Sequence, residues 1–132
     1  MYFRNVDVID SDYFLKHVYN VFKLNKKIDE KLMNLINDIN DNYRYYSFDQ
    51  AVQMMNMNPS YFSRFFHNMI GISFAKYLNC VRIEKAVEFL QNKKFMSMSE
   101  IAEKCGFQTI RNFNRIFKKI TGKTPNEYKK VP

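Results

Sequence analysis

Apolar side chains recur every three or four residues through most of the chain, with polar ones between them. Phe14, Val18, Val21 and Phe22 take helical spacing within residues 10–24, and Leu32, Leu35, Ile36 and Ile39 do so within 29–43. Asp29-Glu30 suits a helix N-terminus, and Lys26-Lys27 reads as a joint between the two segments. Further on, Phe74, Tyr77, Leu78, Val81, Ile83, Ala86, Val87 and Leu90 predict a longer helix that Ser73 opens and that ends near Gln91. Its roughly 19 residues would span about 28 Å.

Shifting the chain against itself exposes a duplication. At an offset of 51, Phe62-Ser-Arg64-Phe-Phe66 falls on Phe113-Asn-Arg115-Ile-Phe117, Gly71 on Gly122, Ser73 on Thr124 and Tyr77 on Tyr128. Upstream the offset becomes 50, placing Val52 on Ala102, Met55 on Cys105, Asn56 on Gly106 and Met57 on Phe107. The second copy has therefore gained one residue between its two helices. Two copies are too few for a solenoid, so duplication of one small supersecondary unit is the better reading.

Each copy has the grammar of a helix-turn-helix. In the first, Ser47 or Asp49 caps a short helix through Met55, Asn56-Met57-Asn58 turns, and Pro59 opens a second helix running to about Met69 and ending at Gly71. In the second, Ser99 is expected to cap a helix through Cys105, and Gly106 supplies a turn that needs positive φ. A basic helix from about Thr109 to Ile120 follows, closed by Gly122, and Thr124-Pro125-Asn126-Glu127 starts a short terminal helix.

Only three Gly and three Pro occur, too little punctuation for a many-stranded fold. The fold class is all-α: two helix-turn-helix subdomains joined by a long central helix, with one or two extra N-terminal helices. The boundaries read as an N-terminal segment at 1–28, a first subdomain at 29–72, a linking helix at 73–91 and a second subdomain at 92–132. Cys80 and Cys105 lie in apolar surroundings without CxxC spacing and read as buried thiols of a reduced, intracellular protein. No apolar run approaches the ~20 residues needed to span a bilayer, and the first residues do not open a secretory signal, so a cytoplasmic location is expected.

Charge sharpens this picture. Residues 1–46 balance seven Lys/Arg against seven Asp/Glu, so the whole net charge of +8 lies in residues 47–132. Such a field draws phosphate polyanions, though a membrane surface or an acidic protein would also answer to it. On the helix after Thr109, Phe113, Ile116 and Phe117 form a docking stripe, and Arg111, Asn112, Asn114, Arg115, Lys118 and Lys119 gather opposite. Arg pairs bidentately with guanine and Asn with adenine, while Lys serves phosphates. A merely solvated face is the bland alternative, but residues 104–128 hold a single acid, Glu127. The first copy offers Ser60, Tyr61, Ser63, Arg64, His67 and Asn68 against a docking set of Phe62, Phe65 and Phe66. Tyr61 reads equally as a sugar or thymine-methyl contact and as a half-buried surface tyrosine. Lys93-Lys94 reads equally as a phosphate contact and as a solvated loop.

Other chemistry finds no support. His17 and His67 lack a carboxylate pattern for metal or acid–base work, and Met54, Met55 and Met57 read as core filler. No phosphate loop, nucleophile elbow or catalytic carboxylate pair is present, so neither an enzyme, a metal nor a cofactor is expected.

These motifs together resemble the AraC/XylS family of bacterial transcription regulators. The resemblance covers about residues 29–130 and rests on Asn58-Pro-Ser-Tyr-Phe-Ser-Arg-Phe-Phe66, Tyr77-Leu-Asn-Cys-Val-Arg82-Ile-Glu-Lys-Ala86, Ile101-Ala-Glu-Lys-Cys-Gly-Phe107 and Phe113-Asn-Arg-Ile-Phe-Lys-Lys119, followed by Thr121-Gly-Lys-Thr-Pro125 and Tyr128. It implies seven helices and a module that binds double-stranded DNA across two successive major grooves of a promoter. In most members it also implies activation through RNA polymerase. Carried over by position, base reading falls on Ser60, Ser63 and Arg64, then on Ile110, Arg111, Asn112 and Arg115. Backbone contacts fall on Tyr61, Asn68, Arg82, Asn114, Lys118, Lys119 and Thr124, with a structural tie as the other reading of Arg82. Ile110 is apolar at a reading position, His67-Asn68 replaces a usual basic pair, and Val52 stands where a small residue is common. These departures lead us to expect that affinity leans on the second unit. The 28 residues before the DNA-binding region are too few for an effector or dimerisation domain. They read as the tail of one or as an extra helix of a short regulator.

Two other function classes compete with this reading. A basic adaptor for an acidic protein would have no need of two F-x-R-x-F copies. A sequence-independent architectural binder would favour Lys over the Asn and Arg found here.

Overall fold

A computed structural model describes residues 30–92 and 96–129. The expected helix over 10–24, the Lys26-Lys27 joint and the Lys93-Lys94 pair lie outside the described residues. Within them are seven helices and no strand: α1 (Glu30–Asn42), α2 (Phe48–Met55), α3 (Pro59–Ile70), α4 (Phe74–Gln91), α5 (Met98–Cys105), α6 (Ile110–Thr121) and α7 (Pro125–Lys129). α1 packs on α2 and α2 on α3; α5 packs on α6 and α6 on α7. The central α4 packs against α3 of the first unit and against α5, α6 and α7 of the second.

Caps explain where the helices start. Ser47 closes a capping box with Gln50, and Asn58 accepts from the backbone N–H groups of Ser60 and Tyr61 with Pro59 at the first helical position. Ser73 and Thr109 cap α4 and α6 in the same way. α5 departs from expectation, because its cap is Ser97 and not Ser99. The Ser97 hydroxyl accepts from the Glu100 N–H at 3.1 Å, and Ser99 sits exposed inside the first turn. The reason is spacing: Glu100 stands three residues beyond Ser97, the position whose N–H a cap reaches and whose acid suits the helix N-terminus. Ser97→Ala is therefore expected to cost about 0.5–2 kcal/mol, whereas Ser99→Ala should stay within about 0.5 kcal/mol of the parent. Urea unfolding of the two variants side by side checks this, and equal losses would restore Ser99 as the cap.

The duplication is visible in the packing. Phe62 and Phe66 have ring centroids 5.7 Å apart, as do Phe113 and Phe117. Phe66 meets Tyr77 edge-on at 5.5 Å, and its counterpart Phe117 meets Tyr128 edge-on at 5.2 Å. Gly71 and Gly122 both end their helices with positive φ, at 96° and 82°. The copies differ where Phe74 joins the first aromatic cluster, since the buried Pro125 stands at the matching place in the second.

The linking helix is more than a strut. Its buried residues, Phe74, Tyr77, Leu78, Cys80, Val81, Ile83, Glu84, Ala86, Val87 and Leu90, run around most of its circumference. A helix apolar on nearly all sides must be enclosed, and α4 is enclosed by the two units it joins. Cys80 and Cys105 are both buried free thiols, and burial pushes each up to about 12.

Candidate nucleic-acid interface

α3 and α6 are the second helices of their units and present their outer faces to solvent. On α6, Phe113, Ile116, Phe117, Ile120 and Thr121 are buried, so the helix cannot roll without exposing them. That orientation leaves Arg111, Asn114, Arg115, Lys118 and Lys119 exposed and Asn112 half-buried. Ile110, at the N-terminal tip, is 40% exposed. The Arg115 Nη2 donates to Asn112 Oδ1 at 2.8 Å, one turn back, which restrains the guanidinium before any ligand arrives. No ion pair among the described residues involves a basic side chain of α6, whereas Arg44 pairs with Glu103 and Lys85 with Glu88.

On α3, Phe62, Phe66 and Ile70 are buried while Ser60, Ser63, Arg64 and Asn68 are exposed. Phe65, expected in the docking set, lies only at the edge of the core. It is half-buried, and the 53% exposed Tyr61 stacks on it at 6.3 Å. The reason is angular: Phe65 lies 100° from Phe66 and rides the flank of the docked stripe. Tyr61, Phe65, Met69, Arg64 and Asn68 line a shallow apolar dent there. His67 is half-buried.

Two residues expected on the DNA backbone have other duties. Thr124 caps α7, accepting from the Glu127 N–H at 3.2 Å and donating to its carboxylate at 3.1 Å. Arg82, half-buried on α4, donates from Nε to the Tyr43 carbonyl at 2.9 Å and from Nη2 to the carbonyls of Arg44 at 3.4 Å and Tyr46 at 3.3 Å. Burial lowers the pKa of its guanidinium. Its geometry is that of the structural tie. No motif in the sequence marks the α1–α2 loop that receives these bonds, or Arg44 and Glu103 beside it.

Two recognition-type helices, each docked by an aromatic stripe and held on one shared helix, define a double helix-turn-helix domain. A helix-turn-helix domain family model matches residues 51–130. The transcriptional regulatory protein YesN of Bacillus subtilis strain 168 is 38% identical over 81 residues, which are 61% of this chain and 22% of that protein. The arabinose operon regulatory protein of Escherichia coli K12 is 29% identical over 108 residues, 80% of this chain and 37% of that protein. The chain thus spans well under half the length of either relative. Among solved structures, the C-terminal domain of AraT, a response regulator from Geobacillus stearothermophilus, superposes with a TM-score of 0.73 at 28% identity, covering 81% of this chain and 89% of that one. The chain belongs to the AraC/XylS family of transcription regulators and comprises its helix-turn-helix DNA-binding domain. No helix among the described residues is long and apolar enough to cross a membrane.

Proposed function

We propose that the chain reads a specific bipartite site on duplex DNA, with α3 and α6 entering successive major grooves on one side. The observation that carries this is the exposed face of α6, paired with no acid among the described residues, where Arg, Asn and Lys lie together over a fully docked opposite face. In this reading Ser60, Ser63 and Arg64 of α3 and Ile110, Arg111 and Arg115 of α6 meet base edges, and Asn112 serves the same edge by holding the Arg115 guanidinium. Tyr61, Asn68, Asn114, Lys118 and Lys119 meet sugar and phosphate. Arg82 and Thr124 take a smaller part, because the Arg82 Nε and Nη2 and the Thr124 hydroxyl are engaged within the chain. Supporting the spacing, the 18 residues of α4 span about 27 Å, of the order of the ~34 Å between successive major-groove faces. Promoter activation, contact with RNA polymerase, dimerisation through a region outside this chain and a cytoplasmic setting belong to the same proposal and rest on family membership.

Cyclic selection from random duplexes followed by footprinting tests it. Two protected patches about 10 bp apart on one face of the duplex are expected. Log affinity should fall against log salt with a slope of about −0.9 per phosphate contacted. Equal protection of random competitor DNA would remove the specific reading and leave a sequence-independent binder.

A further inference from the structure

The duplication makes the turn of each unit an internal control for the other. Asn56 and Gly106 occupy the same place, after α2 and after α5, and both are left-handed, with φ of 53° and 99°. Asn performs this turn in the first unit without glycine, so the conformation alone does not explain Gly106. Space does. A Cβ at Gly106 would collide with the carbonyl oxygen of Arg44 and stand 2.9 Å from Arg82 Nε.

Three separate segments therefore meet at one point: the α1–α2 loop, the middle of α4 and the turn before α6. Arg44 is tied from both ends. Its carbonyl receives Arg82, while its own Nε donates to the Glu103 carbonyl at 3.1 Å and Nη2 approaches the Glu103 carboxylate at 3.4 Å, across 59 residues of sequence. Packing on one shared helix fixes the distance between the two units and resists their rotation about its axis only through contacts close to that axis. A second point of attachment, off that axis, fixes the rotation as well.

We infer that Arg44, Arg82 and Gly106 form a joint that sets the roll of α6 relative to α3, and so makes the protein selective for the spacing between its two half-sites. These are positioning residues. The inference rests on the two-groove reading above. One base pair of extra spacer rotates a half-site by about 35° and moves it about 3.4 Å. A locked pair of helices meets one spacing, whereas a loose pair shares its tethering advantage among several. Tethering of two sites is worth about 10²–10⁴ in affinity when the geometry matches.

The diagnostic variant is Gly106→Asn, because Asn already serves this turn at position 56 yet carries the Cβ that the joint has no room for. Its mirror control is Asn56→Gly, at the exposed matching turn of the first unit. Against sites selected by the parent protein, with spacers from two base pairs shorter to two longer, the preference of the parent for its best spacing over its neighbours should fall about tenfold in Gly106→Asn. Isolated half-sites should bind as before, and Asn56→Gly should keep the parental profile. Arg44→Ala, which removes the tether without adding an atom, should flatten the profile likewise and serves if Gly106→Asn loses helicity.

A DNA-free measurement separates the joint from the function. Nitroxide labels at Asn68→Cys and Lys119→Cys report the distance between α3 and α6, since the native thiols are buried and held protonated. The distance distribution should be narrow in the parent and broaden in Gly106→Asn. An unchanged distribution overturns the joint, and so does a broadened one with an unchanged spacing profile. A narrow parental distribution without specific DNA binding overturns the two-groove reading, and with it the role in spacing.

Discussion

Replacing Phe117 by alanine is expected to remove about 3–5 kcal/mol of stability, the largest effect of any substitution considered for the second unit. The ring is fully buried, meets Phe113 at 5.7 Å and takes Tyr128 edge-on at 5.2 Å. Removing it takes away the apolar transfer energy and leaves a space that α5, α6 and α7 cannot close without moving. A domain of this size holds about 5–15 kcal/mol in total, so the loss consumes a large part of what keeps α6 docked. Urea unfolding followed by circular dichroism measures it. A loss below about 1 kcal/mol would mean that the ring is not packed as described. The DNA-binding consequence follows directly: an undocked α6 carries its Arg and Asn on a helix with no fixed orientation. Phe66→Ala in the first unit makes an informative comparison. Phe66 keeps the additional neighbour Phe74 at 5.5 Å, where the second unit has only Pro125, so the two clusters differ in how far they can relax.

Much of this architecture was legible in the sequence because helices announce themselves locally. Apolar residues at i, i+3 and i+4, a capping Ser, Thr or Asn before each helix and a glycine after two of them locate α3, α4, α6 and α7 to within a residue or so. The misplaced cap of α5 shows the limit of that signal. Two serines flank Met98, both can accept a backbone N–H, and the choice turns on which one has Glu100 three residues downstream. Phe65 shows another: a residue one step from a docked stripe is apolar whether it enters the core or only skirts it.

The joint was hidden for a different reason. Arg82 and Arg44 act on backbone carbonyls, which every residue possesses, so the residues they bind carry no compositional mark. The hydrogen bonds span 36 to 59 positions, and no local rule links their ends. The one available hint lay in the duplication, where an exposed Asn in one copy faces a Gly in the other. The proposed interface stands between these extremes. Its exposure followed from the docking stripe and the cap at Thr124 from its spacing to Glu127, but the choice between the two readings of Arg82 did not, since a donor on a helix surface looks the same in sequence whether it faces phosphate or carbonyl.

Arg115→Ala is expected to cost about 1–3 kcal/mol in binding to the selected site and to relax the preference at one base pair, with folding unchanged. Folding is spared because the side chain is exposed and its partner, Asn112 Oδ1, is left in contact with solvent. The same hydrogen bond separates the roles of the two residues. With its oxygen accepting from Arg115, Asn112 is poorly placed to offer the donor–acceptor pair that adenine requires, and acts instead to hold the guanidinium toward a guanine edge. Asn112→Ala should therefore weaken binding less than Arg115→Ala and act at the same base pair. The double variant should cost less than the sum of the two singles, the mark of residues that work through one contact. Competition titrations of all four proteins against the selected duplex, and against duplexes changed at each position, measure the cycle at fixed salt. Strict additivity, or separate base pairs for the two residues, would mean that Asn112 reads a base of its own. A uniform loss across all sequences, with the salt slope reduced by about one, would make Arg115 a phosphate contact.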